Sequence, residues 1–176
     1  MKVLNVGGGS RTLPEEFYGW HQDLLDIDPS VSPDICCSAV DLFHLPPKTY
    51  DAINCSHNLE HVYRHEVPRV LIGFRHVLKD DGFAKIDVPN LGTAMEGAIK
   101  HGLEAIWYYG ANGVPITYHD VIYGWSIQVG LGNEFYAHKT GFTETSLFNA
   151  LLMAGFQDVQ MATDGLNLSV RARKCR

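Results

Sequence analysis

No stretch of this sequence is apolar for the roughly 18 residues that a membrane-spanning helix needs, so a bilayer span is not expected. Lysine and arginine never gather into a run, and the net charge is −6. A nucleic-acid binder usually carries a basic stripe, so nucleic acid is not an expected partner. Cysteine is scarce. Cys36 and Cys37 are adjacent, Cys55 sits in an apolar run and Cys175 lies at the tail. That spacing makes neither a disulfide framework nor a C-x-x-C metal knuckle, and it points to a reducing cytoplasm. The opening MKVLNVGGG lacks a signal-peptide pattern. Internal repeats, low-complexity tracts and linkers are missing as well. What remains is 176 residues, 45% hydrophobic and 19% charged, which suits one domain with a proper core.

The first half alternates short apolar runs with helical patterns or brief crossings, which argues for parallel βαβ units. Strands are expected at residues 2–6, 21–28, 34–40, 50–56 and 83–89. Runs this apolar suit a sheet covered on both faces. Between the fourth and fifth, residues 66–78 place Val67, Val70, Leu71, Phe74, Val77 and Leu78 on one helical face, with Asp80-Asp81-Gly82 as the stop. A second helix is expected over 93–107, with Met95, Ile99, Leu103 and Ile106 at helical spacing. An excursion rich in Tyr, Trp and Gly follows, including YYGANG, YGW and GLGNEFYAHKTG. Thr143 then caps a helix to residue 154 with Leu147, Phe148, Leu151 and Leu152 inward. GFQDVQMAT and NLSVRARK, around Asp164-Gly165, read as a closing hairpin and the only antiparallel pair expected.

Three strand ends carry candidate ligand chemistry. The first strand runs into Gly7-Gly8-Gly9-Ser10, where missing β-carbons let a ligand approach the backbone. Asp26 falls at the end of the second, where a carboxylate can accept from both hydroxyls of a ribose. Asp41 follows the third, placed to accept from an exocyclic amine. Each has a plainer reading: a tight turn, a turn-former before Pro29, a loop cap.

Taken together, VLNVGGGS, LLDIDP, VDLFHLP, YDAINCSHNLEHV and HVLKDDGFAKIDVPN resemble a class I S-adenosylmethionine-dependent methyltransferase of the type 11 branch, in consecutive order over residues 2–90. HKTGFTETSLFNALLMAGFQDVQ is similar to the last helix and strand of small members. The resemblance implies one α/β domain over 1–176, a Rossmann-like seven-stranded sheet of order 3-2-1-4-5-7-6 with strand seven antiparallel, and an aromatic-rich insertion at about 91–142. It implies S-adenosylmethionine as cofactor. Gly7 and Gly9 would flank its methionine portion, Asp26 hold the ribose, and Ile27 pack on the adenine. Asp41 and Leu42 would meet the adenine edge, and Ser56 and His57 lie near the sulfonium. The sequence departs from the family at Asn5, where an acidic residue is usual, and at Arg11, where a third glycine is usual. Asn5 can orient the turn without contributing charge, and Arg11 either pairs with the cofactor carboxylate or points to solvent.

Residues 57–61 also spell H-x-x-E-H, a zinc-hydrolase reading with His57 and His61 as ligands. A strand ending at residue 55 leaves too little helix before His57 for that geometry, so no metal ligand is assigned. His57, at a strand edge and titrating near neutrality, is the first candidate for a general base. His138 is the second, and Tyr136 and His119 rank below them. Trp107, Tyr108, Tyr109 and Trp125 line a substrate pocket, or belong to the core or a dimer seam. The leading expectation is methyl transfer to a small molecule or sugar-like metabolite. The alternatives are a non-catalytic module that binds the same cofactor and, third, the zinc hydrolase. A homodimer is a further expectation.

Overall fold

The computed structural model describes residues 1–110 and 113–175. Positions 111 and 112 of YYGANG therefore lie outside the described residues. Strands β1 (Lys2–Val6), β2 (His21–Asp26), β3 (Ile35–Cys36), β4 (Tyr50–Ser56), β5 (Leu78–Pro89), β8 (Gln157–Thr163) and β9 (Asn167–Arg173) form one sheet of order β3-β2-β1-β4-β5-β9-β8. The first five run parallel and β9 is antiparallel to both β5 and β8. This is the expected 3-2-1-4-5-7-6 arrangement, β8 and β9 being its sixth and seventh strands.

Alternation along the strands sends side chains to two faces. Leu4, Val6, Ile53, Cys55, Ile86 and Val88 join the main core with helix α1 (Val67–Val77) and helix α5 (Glu144–Met153). All six apolar residues expected on the α1 stripe are buried. The other face is thinner: Val3, Phe17, Ala52 and Phe83 form a small cluster with Leu13 and Trp20 packed against it. Its modest size reflects the crossovers on the β1–β2–β3 side, which hold single 3-10 turns at Glu15–Phe17 and Pro29–Val31 rather than α-helices.

Several expected boundaries move. The third strand spans two residues instead of 34–40, because the Ser38 hydroxyl accepts from Val40 N–H and caps a 3-10 helix over Ala39–His44. The helix expected over 93–107 is α2 (Leu91–His101), ended by Gly102 at φ +95°. The β-favouring IWYY then forms β6 (Ile106–Tyr109), paired antiparallel with β7 (Pro115–Thr117), a second antiparallel pair in addition to the closing hairpin. Ala94 is the buried residue of α2, while Met95, Ile99, Leu103 and Ile106 are exposed. In α5, Leu147 and Leu151 are buried but Phe148 and Leu152 are partly exposed, since the helix covers the sheet with a narrower stripe. Short helices α3 (Tyr118–Tyr123) and α4 (Ser126–Gly130) complete the excursion. Its last part is hydrogen-bonded to the sheet end, with Lys139 N–H and Thr140 N–H both donating to the Glu60 carbonyl at 2.8 and 3.1 Å.

Candidate active site

Strand order reverses between β1 and β4, and in open α/β sheets that switch point leaves a crevice at the carboxyl edge. Here it opens into a cavity of about 1150 Å³. Asn5 and Asn54 form its floor. They are paired in register on β1 and β4, with Asn54 Nδ2 donating to Asn5 Oδ1 at 2.9 Å. Asn5 Nδ2 donates to the Ser10 carbonyl at 3.1 Å, so Asn5 orients the glycine turn through hydrogen bonds while adding no charge.

The turn itself is tight. Gly7 N–H donates to the Leu25 carbonyl at 2.7 Å, and Gly7 and Gly9 take φ of +63° and +56°. Gly9 N–H donates to Asp26 Oδ2 at 3.0 Å, and Asp28 N–H to Asp26 Oδ1 at 3.0 Å. Asp26 is thus fixed at the end of β2, 8% exposed and facing the cavity, with lone pairs left on both oxygens. Ile27, nearly half exposed, presents apolar surface to the same space, and Asp41 lies on its wall. Ser56 and His57 bring the end of β4 to it. His57 adopts φ +49° as the chain leaves the sheet, its N–H donating to the Asp87 carbonyl at 2.8 Å.

Gly7, Gly9, Asp26, Ile27, Asp41, Ser56 and His57 therefore share one cavity. Leu42 does not. Its side chain is fully buried in the core, because the 3-10 turn points it away from Asp41 and toward α1, where Gly73 leaves room for it. Arg11 lies at the surface and does not line the cavity. Its guanidinium forks onto Asp34 at 2.8 and 3.0 Å and holds that carboxyl down at about 2.

His57 Nδ1 lies 3.4 Å from Glu60 Oε1, and the Glu60 carboxylate raises the His57 pKa above its ordinary value despite the cost of burial. His138 stands away from the cavity wall. Its Nδ1 is 2.9 Å from the Val121 carbonyl, and burial lowers its pKa. Tyr136 and Phe135 reach the cavity from the excursion. His119 packs on Tyr123 instead, 4.9 Å between ring centres. Trp107 stacks on Tyr118 and Trp125 meets Tyr136 edge-on, and neither these tryptophans nor Tyr108 or Tyr109 line the cavity. Asn54, Asn58 and Lys139 are cavity residues that sequence reasoning missed. Asn54 carried one readable signal, an amide inside the otherwise apolar run from Ala52 to Cys55.

His57 and His61 do not stand one turn apart on a continuous helix, as the zinc-hydrolase reading requires. His57 precedes a single 3-10 turn, Leu59–His61. Glu60, His61 and His138 come together instead, one ligand atom from each lying within 4.8 Å of the others.

The sequence matches no protein-family model and no curated protein. Solved structures do match in shape. A SAM-dependent methyltransferase from Archaeoglobus fulgidus aligns over 98% of this chain and 86% of its own, at 16% identity and TM-score 0.62. One from Mesorhizobium loti aligns over 98% and 90%, at 17% and 0.59. The 1,6-didemethyltoxoflavin-N1-methyltransferase of Burkholderia thailandensis, solved with bound 1,6-didemethyltoxoflavin and S-adenosylhomocysteine, aligns over 99% and 71%, at 18% and 0.57. This chain has the class I methyltransferase fold. Among the described residues no helix is long and apolar enough to cross a membrane.

Proposed function

We propose that this protein is an S-adenosylmethionine-dependent methyltransferase acting on a small molecule, in a reducing compartment such as the cytoplasm. One observation carries the reading: Asp26, fixed by two backbone N–H groups, faces an open cavity opposite a glycine turn that presents bare backbone. The buried acceptors Asn54 Oδ1 and Asn58 Oδ1 have no hydrogen-bond donor among the described residues, and both residues line this cavity. Buried acceptors of this kind call for donors from a ligand, and an ammonium group supplies them. The cofactor, when bound, supplies a methyl group on a sulfonium. Asp26 would hold the ribose, Ile27 the adenine face, Asp41 its amino edge and Gly7 to Gly9 the amino-acid portion. Alignment of acceptor and methyl can supply much of the rate. His57, half exposed and 3.4 Å from the Glu60 carboxylate, would in its neutral form take a proton from the acceptor, and Tyr136 and Phe135 would help close the mouth.

Titration calorimetry with S-adenosylhomocysteine tests this. One equivalent should bind to the wild type, and Asp26→Ala should weaken it at least about tenfold, the worth of one charge-assisted hydrogen bond. Wild-type protein that binds neither this nor S-adenosylmethionine would defeat the reading.

A further inference from the structure

The proposed chemistry uses Glu60 only as the neighbour of His57 and leaves His61 and His138 unexplained. Glu60 is 1% exposed, yet neither carboxylate oxygen accepts a hydrogen bond among the described residues. The 3.4 Å contact with His57 Nδ1 is an ion pair only when that ring is protonated. A carboxylate taken out of water without donors is costly, so its environment should contain something that compensates for the charge.

The two histidines are prepared in the same way. His61 Nδ1 lies 3.1 Å from the Ala137 carbonyl, and His138 Nδ1 lies 2.9 Å from that of Val121. A carbonyl can only accept, so each Nδ1 carries a hydrogen, and in the neutral ring each Nε2 keeps a lone pair. An imidazole whose far N–H is held by a backbone carbonyl is the arrangement that orients metal-ligating histidines. The rings meet at 70° with 4.9 Å between centres.

From this convergence we propose that Glu60, His61 and His138 form a binding site for a divalent metal ion of the zinc class. Two imidazole nitrogens and one carboxylate oxygen are a borderline ligand set that magnesium and calcium do not favour. Zinc holds such ligands at about 2.0–2.2 Å, which puts them about 3.3 Å apart, so the set would contract by up to about 1.5 Å from its present spacing. The ion would link the sheet end to the excursion, reinforcing the hydrogen bonds from Lys139 and Thr140 to Glu60. Three protein ligands leave a tetrahedral ion one open position. His61, itself on the cavity wall, would turn that position toward the cavity, where an exogenous oxygen donor can reach it.

Equilibrium dialysis of chelator-treated protein against Zn²⁺ decides the matter without any adenosyl ligand, so its outcome is independent of the methyl-transfer reading. The wild type should bind one equivalent. Glu60→Gln and His138→Ala should each weaken binding more than about a hundredfold, beyond the effect of losing a partner behind a ligand. His101→Ala should change nothing. Less than stoichiometric binding at saturating Zn²⁺, or binding indifferent to Glu60→Gln and His138→Ala, would overturn the assignment.

Should those variants fail to fold, proton spectra of the Co²⁺-loaded wild type give a separate test. Two strongly shifted, exchangeable imidazole N–H signals are expected, and their absence overturns the site. Adding acetohydroxamate should perturb the Co²⁺ visible bands, and unchanged bands would rule out the open position.

Discussion

Gly7 and Asn58 are so close that a β-carbon on residue 7 would lie 1.8 Å from Asn58 Nδ2. The glycine is needed twice over, since its φ of +63° also disfavours any other residue. Gly7→Ala should therefore cost about 2–5 kcal/mol, the sum of an overpacking term and a left-handed backbone term. Denaturant unfolding measures it. Adding Asn58→Ala removes Nδ2 and Cγ but leaves Asn58 Cβ 2.8 Å away, so it should recover most of the overpacking part and leave the backbone part. A double variant no more stable than Gly7→Ala would contradict the account.

Arg11 and Asp34 give a pH signature. The Arg11 guanidinium, helped by Leu24 N–H, holds the Asp34 carboxyl at about 2, below the ordinary carboxylate range. A folded-state pKa below the unfolded one means the contribution is complete above about pH 4 and is lost as pH falls toward 2. Both groups are well exposed, so solvent screens the pair and the effect on overall stability should be slight. In Arg11→Ala the Asp34 carbon resonance should titrate at clearly higher pH, though still below the ordinary value because Leu24 N–H remains. An unchanged titration would show that the fork does not exist in solution.

Ile99, 87% exposed, tests the reading of α2. A residue packed in a core at its helical position would cost several kcal/mol on replacement by lysine, whereas an exposed one costs within about 0.5 kcal/mol. Ile99→Lys should leave the unfolding midpoint of dilute protein nearly unchanged.

That residue also shows what sequence periodicity could and could not reveal. The stripe on α1 and the one expected on α2 look alike as patterns, but α1 meets the sheet while α2 lies in the excursion and buries only Ala94. A repeat of three and four residues records an apolar face and says nothing of what covers it. The sheet order was legible through the family resemblance, and the Asp164-Gly165 turn agreed with its closing antiparallel pair. The third strand was not, because Ser38 offered the backbone a competing local hydrogen bond. At the site, the glycine turn and Asp26 could be placed because both end strands. The meeting of His61 with the excursion could not, since its hydrogen-bond partner Ala137 is 76 positions away and comes from a segment with no regular period. The same letters, H-x-x-E-H, would set His57 and His61 one turn apart only on a continuous helix, and a single 3-10 turn stands there instead.

Leu42 and Asp26 should separate stability from ligand binding. Leu42 is buried in the main core, and its Cβ would stand 3.0 Å from a β-carbon on Gly73. Leu42→Ala should cost about 2–5 kcal/mol, the range for emptying a buried leucine. It leaves the backbone and the cavity wall in place, so affinity for S-adenosylhomocysteine should change less than about threefold, under 0.7 kcal/mol at about 1.4 kcal/mol per decade. Asp26→Asn keeps the volume but removes the charge and offers one acceptor where the carboxylate offered two, with Gly9 N–H and Asp28 N–H still to be satisfied. It should weaken the same ligand at least about tenfold while costing less stability than Leu42→Ala. If Leu42→Ala instead weakens binding as much as Asp26→Asn with the protein still folded, the leucine side chain contacts the ligand after all, and the wall around Asp41 must rearrange when the cavity fills.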